Sequence, residues 1–152
     1  MTSTNRHATA LILADRGLLI MGASGSGKTG LALTLIRQAA TEGRFARLVA
    51  DDQVFVSAMA GRLIVHAPRT IGGLAEARGL GPAPVQAEAA AVIDLAVLLE
   101  PPGNVPRMAE PQRFEISGAS VDQLTLPARD TIQSTLAIAA WFGWPPFRNQ
   151  NV

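Results

Sequence analysis

Residues 22 to 30 read GASGSGKTG, and no other stretch narrows the possible folds as far. Gly22, Gly27, Lys28 and Thr29 meet the spacing G-x-x-x-x-G-K-S/T. Small residues at Ala23, Ser24, Gly25 and Ser26 let successive backbone N–H groups turn inward around phosphate oxygens. A helix that starts at the loop presents its positive end to the same anion. Lys28 is placed to reach the outer phosphates, and the Thr29 hydroxyl to ligate Mg²⁺. Such a loop needs a strand before it and a helix after it. The apolar run LLIMG (18–22) supplies the first. Leu31, Ala32, Leu35, Ile36 and Ala39 recur on one helical face and supply the second, over residues 28 to 40, with Gly43 placed to end it.

The rest of the chain gives that unit its company. ALILA (10–14) and LLIMG, parted by Asp15, Arg16 and Gly17, form a hairpin pattern in which Gly17 provides the turn. RLVADD (47–52) is a buried strand closing on two carboxylates, and VFVSAM with RLIVHA forms a second hairpin about Ala60 and Gly61. Residues 68 to 90 show no period and are read as loop with a short helix. AVIDLAVLLE (91–100) is a strand, residues 101 to 111 are a proline-rich connection, and FEISGASVDQLTLPA holds two short strands about a turn. Ile132, Leu136 and Ala139 set a packing helix within 129–142. Two hairpins around a strand–loop–helix unit require a mixed sheet, because a purely parallel one needs crossover connections. The fold class is therefore α/β: a mixed β-sheet around a phosphate loop with flanking helices, in one domain spanning residues 1 to 152.

Composition excludes several classes. A formal net charge of +1 gives no bulk attraction to nucleic acid or to acidic membranes, so neither is a partner. The absence of cysteine removes disulfide scaffolds and thiolate metal sites. Asp15 and Arg16 interrupt the first apolar stretch, so neither a signal peptide nor a spanning helix fits, and a cytoplasmic domain is expected. Trp141 and Trp144 are read as packing, and Arg44 and Arg47 as solvated ends of elements.

Asp51 and Asp52 carry the remaining chemistry. A carboxylate ending a strand beside a phosphate loop commonly serves Mg²⁺, and a pair can divide the work between the metal and acceptance of a proton. Spacing alone leaves open a protein kinase, a nucleotide-binding regulatory module with little catalysis, and a small-molecule kinase or NTPase.

GASGSGKTGLAL, RLVADDQVFV and LAEARGLG (74–81), with His7 ahead of the first hairpin, together resemble the catalytic C-terminal domain of HPr kinase/phosphorylase, in a short proteobacterial form. The resemblance implies a core like that of phosphoenolpyruvate carboxykinases, ATP and Mg²⁺ as cofactors, and phosphorylation of a serine on HPr, the phosphocarrier of a bacterial phosphotransferase system. It also implies a homo-oligomer, specifically a hexamer, and absence of the N-terminal regulatory domain that longer relatives carry. Carried over by position, Lys28 and His7 are catalytic, Asp51 is the general base, and Thr29 and Asp52 serve the metal. Glu76 and Arg78 stand in the family signature, and Arg107 matches an arginine that acts near a neighbouring subunit's site. Two departures remove negative charge beside the metal: Gly30 and Ala23 stand where many members have acidic residues. The resemblance leaves the reverse, phosphorolytic reaction open.

Overall fold

Eleven strands and two α-helices make up the computed structural model, which describes residues 3–68, 73–108 and 110–149. β1 (Thr4–Arg6), β2 (Ala8–Leu13) and β3 (Arg16–Gly22) precede α1 (Lys28–Thr41). Then come β4 (Ala46–Ala50), β5 (Val54–Met59), β6 (Arg62–His66), β7 (Leu74–Ala77), β8 (Gly81–Pro84) and β9 (Ala90–Glu100). A single 3₁₀ turn (Pro102–Asn104) leads to β10 (Gln112–Ile116), β11 (Ala119–Pro127) and α2 (Thr131–Phe142).

Nine strands form one curled mixed sheet with the path β1-β5-β6-β9-β3-β2-β4. β9, eleven residues long, organises it. It runs parallel to β3 along one edge. On the other edge its first residues pair antiparallel with β6 and its later ones run parallel to β11, which carries β10 as a hairpin. Parallel alignment sends the ends of β3, β9 and β11 to the same edge of the sheet. The glycine-rich loop, Pro101 and Arg129 therefore emerge together.

One face of the sheet packs on both helices through Leu11, Leu18, Ile20, Leu31, Leu35, Leu95, Val97 and Ile138. Each fully buried leucine or isoleucine contributes about 2 kcal/mol. Trp141 and Trp144 pack against this cluster, as the sequence indicated, with Arg16 over one indole and Arg44 over the other. The opposite face has its own core of Leu19, Val49, Val54, Val56, Val65 and Phe114.

Three local expectations need correction. The first hairpin turns at Ala14 and Asp15, with Ala14 in the left-handed region at φ 57° and Leu13 paired to Arg16. Gly17 lies inside β3 for another reason: a Cβ there would sit 2.1 Å from the Val92 carbonyl oxygen, so only glycine admits β9 so close. The polar N-terminal segment, given no structure from sequence, adds β1 to the sheet by pairing Thr4, Asn5 and Arg6 with β5. The stretch expected to hold a short helix forms a separate hairpin, β7–β8. Gly79 and Gly81, at φ 92° and 108°, make its reversal, and Pro82 and Pro84 lack the N–H groups a helix would need. Residues 86 to 88 then run along the outer edge of β4, where Leu48 N donates to Gln86 O and Glu88 N to Leu48 O.

Candidate functional site

β3 enters the glycine-rich loop at Gly22, whose φ is 154°. A Cβ at that position would meet Ser26 Oγ at 2.6 Å and Leu99 O at 3.0 Å. Gly25 and Gly27 follow with φ 79° and 96°, conformations that side chains resist. Gly27 caps α1 without any side-chain hydrogen bond, and the first turn of the helix contains no acidic residue. The helix thus supplies no anion of its own to its positive end. Lys28, only 6% exposed, donates from Nζ to the carbonyls of Gly22 at 3.0 Å and Ala23 at 3.1 Å, which hold the ammonium across the loop. Ser26 Oγ is buried without a hydrogen-bond partner among the described residues.

Beside the loop, five residues form a connected group. Thr29 Oγ1 donates to Asp51 Oδ1 at 2.7 Å, and Thr9 Oγ1 donates to the same oxygen at 3.1 Å. Thr9, fully buried on β2, also accepts from the Asp52 backbone N–H at 3.4 Å. Asp52 sits in the left-handed region at φ 72°, a conformation that aspartate tolerates better than most residues. This turns its carboxylate outward, where Oδ1 bonds His7 Nε2 in a half-exposed pair. Side-chain contacts therefore run opposite to the division expected for the two carboxylates. Asp51 touches the hydroxyl expected to ligate metal, whereas Asp52 meets the histidine and the open side.

Two cavities flank the loop. The larger, 810 Å³, is lined by Lys28, Thr29, Gly30, Asp52, Glu76 and Arg78, among others. The β7–β8 hairpin thus brings Glu76 and Arg78, both exposed, to the rim of the same space as the loop. The smaller, 640 Å³, lies toward His7, Ser24, Ser26, Leu98 and Pro101. Arg129 borders both. Arg107 does not join them: it is exposed in the connection after the 3₁₀ turn, away from either cavity of its own chain.

Sequence reasoning missed Thr9 and Arg129. Thr9 left a signal, being a polar residue inside the apolar run ATALIL, two positions after His7 and so on the same side of an extended chain. Arg129 left none, since its partner in the loop lies 104 residues earlier.

The donor set fits a magnesium nucleotide. A buried lysine, an uncapped helix start, a threonine hydroxyl against a carboxylate and an unpartnered buried serine hydroxyl suit an anion with a hard cation. Among the described residues no group of three or more His, Cys, Asp or Glu gathers for a metal. Mg²⁺ needs none, because it takes few protein ligands and fills its shell with water and phosphate oxygen.

Residues 1–141 match the family model of the HPr serine kinase C-terminal domain. The HPr kinase/phosphorylase of Clostridium novyi is 34% identical over 137 residues, covering 83% of this chain and 43% of that protein. That of Clostridium tetani is 41% identical over 78 residues, 51% of this chain and 24% of the relative. The chain thus spans less than half the length of these curated relatives. The solved HPr(Ser) kinase/phosphatase of Coxiella burnetii superposes with a TM-score of 0.73 at 24% identity, over 89% of this chain and 86% of that one, and so shares its fold.

Proposed function

Because the chain belongs to the HPr serine kinase C-terminal domain family, we propose that it transfers the γ-phosphoryl group of ATP to a serine of HPr. The observation that carries this reading is the Thr29–Asp51–Thr9–Asp52–His7 network set directly against the glycine-rich loop. A simple anion-binding loop has no need of a second carboxylate held outward by a histidine.

Lys28 and the start of α1 bind the β- and γ-phosphates. Thr29 and Asp51 would hold Mg²⁺, which would supply positive charge against the phosphate oxygens. Asp52, with Oδ1 engaged by His7, offers Oδ2 to the serine hydroxyl. As the serine oxygen bonds to the γ-phosphorus, the bond from that phosphorus to the β–γ bridging oxygen breaks and ADP departs. The hydroxyl proton passes to Asp52 Oδ2. This exchanges the roles that position alone gave the two aspartates, and its support is which of them touches Thr29. Glu76 and Arg78 on the hairpin meet the incoming carrier at the rim.

We further propose that the chain acts in the cytoplasm as a homo-oligomer, a hexamer. Among the described residues no helix is long and apolar enough to cross a membrane. Ile132 and Leu136, expected from their spacing to pack inward, instead stand exposed one turn apart on α2, a helix without a single charged residue that buries Ser134, Ile138 and Ala139. Arg107 would then serve a neighbour's site.

Incubation with ATP, Mg²⁺ and purified HPr, followed by mass spectrometry of HPr peptides, tests the reading. Phosphate mapped to a serine supports it. Unmodified HPr in the presence of protein that binds ATP contradicts it and favours a regulatory nucleotide-binding module.

A further inference from the structure

Arg129 stands at the junction of β11 and α2, immediately before Asp130, whose side chain caps α2 by accepting from Gln133 N. Its backbone N–H donates to Ser26 O at 2.9 Å and its Nε to Gly25 O at 2.8 Å. A single residue thus fastens the start of α2 to the middle of the glycine-rich loop. Its φ of 60° lies in the left-handed region, which costs a non-glycine residue roughly 1–2 kcal/mol. Arg129 lies in ordinary contact with the glycines of the loop. A Cβ at Gly27 would lie 3.5 Å from Arg129 N, and one at Gly25 would lie 3.6 Å from Nη2.

A strap needs only the main-chain N–H and Nε. Arg129 is exposed, and no carboxylate forms a salt bridge with it among the described residues. It borders both cavities, the only one besides Ser24 among the described residues to line each. A permanently charged fork, rigidly anchored at one edge and unpaired by acid at the other, suits the oxygens of a phosphoryl group.

We propose that Arg129 is a further catalytic residue, donating from its terminal nitrogens to the phosphoryl oxygens while the group is transferred beside the loop. The proposal rests on the kinase reading given above. Arg129 stays protonated throughout and exchanges no proton. Its contribution is charge-assisted hydrogen bonding that grows as negative charge spreads over the transferred group. Anchoring by Nε fixes the fork before the reaction, so little reorganisation accompanies transfer.

The test compares wild type, Arg129→Ala and Arg129→Lys in transfer from MgATP to HPr, with ATP affinity measured separately by calorimetry. Arg129→Ala should lower kcat by about 10³-fold while ATP affinity changes by less than about 10-fold. Lysine should recover little, because a point charge cannot reproduce the fork. Millimolar guanidinium should restore part of the lost rate to Arg129→Ala and none to wild type. A kcat within threefold of wild type overturns the proposal. So does a loss lying wholly in ATP affinity, restored by lysine and insensitive to guanidinium, which identifies a strap and nothing more. If wild type itself moves no phosphoryl group to HPr, the kinase reading fails and pyrophosphate affinity decides for Arg129. Binding about tenfold weaker in Arg129→Ala supports the phosphoryl contact, and equal binding overturns it.

Discussion

At the residue scale, one buried hydroxyl orders the site. Thr9 Oγ1 donates to Asp51 and accepts from the Asp52 main chain, so it sets the direction of one carboxylate and the backbone turn of the other. Thr9→Val keeps shape but leaves the part-buried Asp52 N–H without its acceptor and Asp51 with one donor fewer, a loss of about 1 kcal/mol. The expected outcome is a higher Mg²⁺ requirement together with a reduced kcat, and Thr9→Ser, which keeps the hydroxyl, should recover both. A Mg²⁺ titration of transfer for the two variants checks this; equal behaviour of Val and Ser would remove the hydroxyl from the mechanism. His7, Asp51 and Asp52 were legible in the sequence as candidates, but their partners were not. Which aspartate meets Thr29 is settled by Asp52 adopting φ 72°, a backbone choice that the pair Asp-Asp does not announce.

At the element scale, α1 was read within one residue of its observed end, because its apolar spacing and Gly43 are local signals. The β7–β8 hairpin was misread for the opposite reason. Its strands bury little, only Ala75 being fully inside, so no alternation marked them. The first turn of α1 carries a third prediction. Gly30 is exposed, and a Cβ there meets nothing within 4 Å. Gly30→Glu should stabilise the helix by about 1 kcal/mol through propensity, with a few tenths more from an acid at the positive end. The same carboxylate adds charge near Thr29, so half-maximal transfer should come at lower Mg²⁺ concentration. Thermal unfolding checks the first effect and Mg²⁺ titration the second; a stabilised protein with an unmoved Mg²⁺ requirement would show that Gly30 does not mark a weakened metal corner.

At the scale of the whole molecule, the mixed sheet was legible because hairpins and a strand–loop–helix unit leave few alternatives. The branching of β9 between β6 and β11 was not, since both partners read simply as apolar strands. Assembly is likewise a property of surfaces. Replacing Ile132 and Leu136 together by Asp should shift sedimentation from an oligomer to a smaller species without unfolding the chain, because Ile132 is 74% and Leu136 38% exposed in the monomer. An unchanged sedimentation coefficient would exclude this face of α2 from the interface. The central claim is narrower: the network beside the glycine-rich loop moves a phosphoryl group to a carrier serine, with Asp52 taking the proton. Single-turnover quench-flow with γ-labelled ATP, Mg²⁺ and HPr, run on wild type and Asp52→Asn, tests it most directly. The account predicts label on an HPr serine with wild type and a rate lower by about 10²–10⁴-fold for Asp52→Asn, with MgATP affinity kept. Wild-type protein that binds MgATP yet labels no serine, or an Asp52→Asn variant that transfers at the wild-type rate, would contradict it.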